Sequence, residues 1–383
     1  MVITRMKVVE SADVEKYAWA GLARYMNAEF VKREICGVHV LPKAQENNAR
    51  SQADELRHCL SQAAEYAKAA RSVSLATRPV LLYYACMSLA LVEILFKQSA
   101  DSRLSKLRQH HNCHGLQMAV AQLPDIGASI EVSANMLSAK PQWDSNGGAR
   151  GTFEVWRRSA HEYPVGGMHT ENIRNEGQTR GFEVCFGAAN IPLPPMPHSG
   201  LSLLQCLNNL PALDDLLRML GTPLRMVRAT VTSESAAGDH SKRWTLVVHP
   251  QEQSVIDAFG ACTRLHPAAI NHLKITELPS GYIVQVPSGV QRSELSLPHG
   301  VSLSDQFTYF HCVRPALNEF GYFYAALHIC GNFARYYPDV WLAHIDRSSD
   351  LSIAIDSLCA TAMERLTLLT LSELTGQFHV TKN

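Results

Sequence analysis

The chain has 383 residues, 46% of them hydrophobic and 18% charged, values of a globular protein with apolar material for a sizeable core. Lys plus Arg and Asp plus Glu each number 35, so the net charge is zero. That balance excludes a wholesale nucleic-acid binder and leaves room only for a local basic patch. The ten cysteines contain no CxxC pair, a pattern of a reducing compartment rather than a disulfide framework.

The first residues hold no apolar stretch of the length a secretory signal needs. A first helix is predicted over residues 14–33, followed by a connector with Gly37, Pro42 and Asn47-Asn48. Over residues 51–71, Leu56, Cys59, Leu60, Ala63, Ala67 and Ala70 recur at helical spacing and make one apolar stripe. Thr77 then caps a new helix, with Pro79 in its first turn, running to about Lys97. It is apolar nearly all round, contains Glu93, and falls short of the ~20 apolar residues of a membrane span. A central core helix in a cytoplasmic protein is the expectation, with no membrane partner.

From about residue 123 to 150 the helical period fades. Residues 130–132 and 152–156 read as short strands, and the run from Asp144 to Gly148 as a turn. Residues 163–181 read as loop, and residues 191–197, with four prolines, as an extended linker. A helix is predicted over 201–220, stopping at Gly221-Thr222-Pro223. Strands follow at 224–232, 243–249 and 282–286, the first two as a hairpin, with a helix at 254–265 between them and the third. Helices return at 318–335 and 350–375, the latter capped by Ser349 or Asp350 and closed by Gly376. The fold class is therefore α+β, mainly α. An N-terminal helical segment (1–122) and a C-terminal one (306–383) pack together as a frame around a mixed, strand-containing middle (123–305).

Two stretches could carry chemistry. The first is basic and histidine-rich: Arg103, Lys106, Arg108, His110, His111 and His114. An arginine can hold a phosphate by a two-pronged contact, and a histidine can move a proton near neutral pH. Arg103 with His110, or Arg108 with His114, has a workable separation. The plainer reading is a solvated helix end, with Lys97 and its neighbours facing water near the C-terminal dipole and His114 capping a following helix. Metal binding by His110, His111, Cys113 and His114 is not expected, because four ligands within five positions do not readily converge on one ion. The second stretch is a polar stripe on an apolar helix, Tyr324, His328, Asn332 and Arg335, at spacings of four, four and three. It reads either as a buried pocket for a nucleotide or phosphate or as a hydrogen-bonded network that fixes packing. The glycine segments match no phosphate-binding loop, and no hydrolase, zinc-protease or kinase signature is present.

Several short motifs in a fixed order carry a resemblance. They are Gln62-Ala63-Ala64-Glu65-Tyr66, the run from Arg78-Pro79 to Tyr83-Tyr84, His114-Gly115-Leu116, and the run from Gly331-Asn332 to Tyr337-Pro338 with Trp341. Together they resemble the YaaC-like family of bacterial proteins, with one departure at Asn332, where an apolar residue is expected. More distantly, two consecutive helices, the second very apolar, followed by a basic stretch, look like HEPN-type helical domains. That likeness implies RNases or nucleotide-binding partners in bacterial conflict systems. The expectation is an intracellular interaction or sensing module in a bacterial complex, serving phage defence or a stress response. The alternative is an RNA-acting enzyme using Arg103 or Arg108 with His110 or His114. Expected partners are proteins, with RNA, a nucleotide or a second copy of the chain as further candidates. No cofactor is expected.

Overall fold

The computed structural model describes residues 5–98, 102–162, 191–222 and 316–381, with strand segments 165–166, 185–186, 226–234, 242–248, 274–278, 281–286, 299–300 and 308–311. Most of residues 163–181 and all of 254–265 lie outside the described residues, and with them the predicted loop and helix there. The chain divides into two compact units. One comprises Met1–His161, Pro192–Thr222 and Ala316–Val380, and the other Glu162–Ile191, Pro223–Pro315 and Thr381–Asn383.

The first unit is the helical frame, and the fold is α+β and mainly α. Its helices are α1 (Val14–Leu22), α2 (Ala28–His39), α3 (Glu46–Arg71), α4 (Arg78–Lys97), α5 (Leu104–His110), α6 (Ile130–Asn135), α7 (Thr152–Ser159), α8 (Leu203–Leu207), α9 (Asp214–Met219), α10 (Glu319–Tyr336), α11 (Pro338–Asp346) and α12 (Asp350–Thr375). The strands Leu116–Val120, Leu137–Pro141 and Leu201–Ser202 form an antiparallel sheet in that order, and Arg5–Val9 pairs with Gln377–Thr381. N- and C-terminal segments thus share one core. Val9, Ala18 and Leu368 pack together, and Tyr25 donates its hydroxyl to Leu374 O at 2.8 Å.

At the centre is α4, packed against α3, α7, α10 and α12. Among the described residues it is the one helix long and apolar enough to cross a membrane, yet 72% of that window is buried inside the fold. Its apolarity is therefore satisfied by neighbouring helices, which is compatible with a soluble chain. The buried carboxylate in this helix is Glu93. It accepts from Trp156 Nε1 of α7 at 2.9 Å and from Thr370 Oγ1 of α12 at 3.3 Å. Lys97 pairs with Glu93 at 3.1 Å and with Glu373 of α12 at 2.6 Å, all three side chains no more than 6% exposed. Burial, then the nearby Glu373, lifts the Glu93 carboxyl above the usual range even though Lys97 opposes this. Burial alone would lower the Lys97 ammonium, but the two carboxylates more than offset it and hold it above the usual lysine range. The reading of Lys97 as part of a solvated helix end is corrected accordingly.

Other local readings also change. Residues 130–132 begin α6, because the Ser129 side chain accepts the Val132 N–H and Glu131 sits at the helix N-terminus. Residues 152–156 alternate like a strand but belong to α7, where Glu154 bridges Arg157 and Arg158 three and four residues on, each at 2.7 Å. The predicted helix 201–220 is a strand end followed by α8, a 3-10 turn at Pro211–Leu213 and α9. A Ser202–Gln205 capping box starts α8, and Pro211 breaks the run. The first predicted helix is broken by a 3-10 turn at Ala23–Met26, after which Asn27 caps α2. No helix follows His114 for it to cap; the strand Leu116–Val120 does.

In the second unit the described strands form a six-stranded antiparallel sheet. Its order is Lys274–Leu278, Gly281–Val286, Lys242–Val248, Met226–Glu234, Thr308–His311 and His299–Gly300. The expected hairpin is present, with Arg243 opposite Glu234 and Val248 opposite Ala229.

Replacing Lys97 by Met should leave two buried carboxylates without their cation and cost about 3–5 kcal/mol of unfolding free energy in urea titration. Converting Glu93, Lys97 and Glu373 together to apolar residues of similar volume should cost much less than that single change. A Lys97→Met loss below ~1 kcal/mol would show that the three charges do not organise this core.

Candidate functional site

The site grows from the crossing of α4 and α10. Asn318 caps α10 by accepting the Gly321 N–H at 3.0 Å, and the four-residue spacing then sets Tyr324, His328 and Asn332 on one face. Gly331 lets the helices approach, because a Cβ there would lie 3.3 Å from both Pro79 O and Tyr83 Cβ. Tyr83 of α4 consequently meets His328 edge-on at 5.2 Å between ring centroids and Tyr324 at 6.0 Å. Tyr324 also abuts Phe153 of α7 at 5.2 Å.

The third contributor is the segment between α5 and the strand Leu116–Val120. It is pinned to the start of α7, where the Thr152 and Phe153 N–H groups donate to Cys113 O and His114 O, each at 3.0 Å. The Gly151 N–H donates to His111 Nδ1 at 3.0 Å. Gly151 takes φ +97°, and a Cβ there would lie 2.4 Å from Gly115 Cα, so only glycine fits. This brings the His114 ring edge-on to Tyr83 at 5.7 Å, with Tyr84 at 6.4 Å and Met87 Sδ 3.3 Å from its Nδ1. Tyr84 in turn stacks on Tyr66 of α3 at 5.5 Å.

The structure therefore joins His114 from the first predicted stretch, through Tyr83, to Tyr324 and His328 from the second, with Asn332 bonded to His328 and Arg335 acting on His114 through its charge. Partial burial lowers the pKa of His114, and the positive charge of Arg335 lowers it further. Burial pushes His328 down to about 3, with a further contribution from His114. Burial also raises the Tyr83 and Tyr324 phenols. At neutral pH the cluster thus holds neutral imidazoles and neutral phenols, with the Arg335 guanidinium as its cation. Arg335 is exposed and lies over the Tyr336 ring at 5.1 Å. Asn332 is half-buried and donates from Nδ2 to His328 O at 2.7 Å.

Among the described residues neither the Tyr83 nor the Tyr324 hydroxyl has a hydrogen-bond partner, and the two residues are only 5% and 0% exposed. A buried hydroxyl left unbonded costs about 1–3 kcal/mol, so two at one helix crossing single it out as the candidate site.

Arg103, Arg108 and His110 belong to another element. Arg103 is the N-cap of α5, and the adjoining Leu104 N–H donates to Glu55 Oε2 at 2.6 Å. Arg108 and His110 are exposed in the last turn of α5. Their charges act on Cys59 and on His111 respectively. Among the described residues no group of three or more His, Cys, Asp or Glu side chains is placed to hold a metal ion.

Sequence reasoning missed Tyr83 and Tyr84 as site residues. The available signal was two adjacent phenols inside an otherwise apolar helix, since a buried tyrosine usually finds a partner for its hydroxyl. The role of Gly151 depends on its close approach to Gly115, thirty-six positions earlier, and could not be read locally.

The family model described as YaaC-like Protein matches residues 24–118, a span that includes Tyr66, Tyr83, Tyr84 and His114. The α10 residues of the cluster lie outside the match. No curated protein and no solved structure matches the chain.

The histidine shifts predict acid sensitivity. His328 (about 3) and His379 (about 4) are depressed below the unfolded value of 6.5. The folded chain therefore binds fewer protons, and stability is full above 6.5 and falls as the pH drops below it. Between pH 7.5 and pH 5 each of these histidines should remove about 2 kcal/mol. Urea titrations of wild type and His328→Gln at both values should show that share of the loss absent in the variant.

Proposed function

We propose that this chain is an interaction or sensing module working inside a bacterial complex in the cytoplasm, of the kind that serves phage defence or a stress response. Its ligand-reading centre is the cluster at the α4–α10 crossing. The observation that carries this reading is the pair of buried, unpartnered hydroxyls of Tyr83 and Tyr324 beside His114 and His328. A network serving packing alone would satisfy its own polar groups. The match to the YaaC-like model over the segment that supplies Tyr83 and His114 supports a bacterial family setting. The defence setting rests on the distant likeness to HEPN-type domains.

One observation favours a second reading, an RNA-acting enzyme. His114 is exposed, has a lowered pKa, and feels the guanidinium of Arg335. A neutral imidazole can accept a proton while an arginine holds a phosphate. In that reading Arg103 or Arg108 and His110 would assist from α5.

Two measurements on the full-length chain separate these readings. Native mass spectrometry of wild type purified from bacterial cells should show a bound small molecule that Tyr83→Phe/Tyr324→Phe lacks, both forms having the same helical circular dichroism. Incubation with total RNA should leave the RNA profile unchanged. A wild-type chain with no bound small molecule, or RNA cleavage lost in His110→Ala or His114→Ala, would overturn the sensing reading.

A further inference from the structure

Resting on the sensing reading, the chemistry of the cluster narrows the ligand. At neutral pH each of its side chains can donate: the two phenols and the one ring N–H of neutral His328, which can also accept, and the guanidinium of Arg335, which only donates. Among the described residues, Glu93, the nearest carboxylate on α4, is committed to Lys97 and Trp156 on the core side. A set of donors with one fixed cation matches an oxyanion, which is acceptor-only and gains from charge-assisted hydrogen bonds. Beside this set lie the stacked rings of Tyr66 and Tyr84, both half-buried, with His114 against Tyr84. Flat aromatic faces at the edge of an anion site suit an aromatic base, whose stacking is worth about 1–3 kcal/mol.

We infer that the cluster binds a nucleotide, its phosphate between Arg335 and His114 with the Tyr83 and Tyr324 hydroxyls as donors behind, and its base against Tyr84 and Tyr66. The groups facing His114 are Tyr83, Tyr84 and Met87 of α4 and His328 and Arg335 of α10. A dianionic phosphate brought to His114 favours its protonated form, so binding takes up a proton and strengthens as the pH falls from 8 to 6.5.

The test is isothermal titration of the full chain with ATP, AMP, inorganic phosphate and citrate, in Mes, Hepes and Tris buffers. Expected are ATP or AMP binding tighter than inorganic phosphate, citrate binding weakest, and proton uptake read from the buffer dependence of the heat. Tyr324→Phe and Arg335→Gln should each weaken nucleotide binding by about tenfold or more, and Tyr66→Leu should weaken the nucleotides while sparing inorganic phosphate. Absence of binding by all phosphate probes, or nucleotide affinity unchanged in both Tyr324→Phe and Arg335→Gln, would overturn the inference. A co-purified ligand that carries no phosphate would sink this inference while leaving the sensing reading intact.

Discussion

The buried ion triad of Glu93, Lys97 and Glu373 is the constraint on which the helical frame depends. Two carboxylates and one ammonium lie in a mainly apolar core, and each needs its partners to be tolerated there. Because Glu93 and Lys97 stand four residues apart on α4, both face the same side, where Trp156 of α7 and Thr370 of α12 close on the same carboxylate. Hydrophobic burial alone would fix the rotation of α4 weakly, because α4 is itself apolar nearly all round. The triad admits one rotation and one register, at a substantial desolvation cost.

With that rotation set, the opposite consequence appears at the N-terminal half of α4. Tyr83 must then point toward α10, and Gly331 makes the approach close enough for Tyr83 to meet His328 and Tyr324. The loop carrying His114 is held independently, by Gly151 and the first N–H groups of α7. On α7, Trp156 meets Tyr324 at 6.1 Å and donates to Glu93, while Phe153 meets Tyr324 at 5.2 Å. The same short helix therefore couples the site to the core.

The long amphipathic or apolar elements were legible in the sequence. The stripe through Leu56 and Leu60, the Pro79 start of α4 and the Ser349 and Gly376 ends of α12 are local signals, and local signals suffice there. Two of the errors fall on short segments. Ile130 to Val132 and Thr152 to Trp156 have the alternation of strands, but a capping serine and an i,i+3 and i,i+4 charge pattern made them helical. The polar stripe on α10 was visible because its period is helical. Its partner residues were not, since His114 reaches Tyr83 through loop geometry that no periodicity encodes, and the charge it feels from Arg335 comes from more than two hundred residues away. The surroundings of Lys97 were misjudged for the same reason, as Glu373 is supplied from the far end of the chain.

The central claim is that these two distant stretches make one electrostatic site, and the most direct measurement is an NMR titration of His114 in the free protein. In wild type the His114 pKa should lie below that of an unperturbed histidine, and Arg335→Gln should raise it by removing a neighbouring positive charge. An ordinary His114 pKa in wild type, unmoved by Arg335→Gln, would contradict the account.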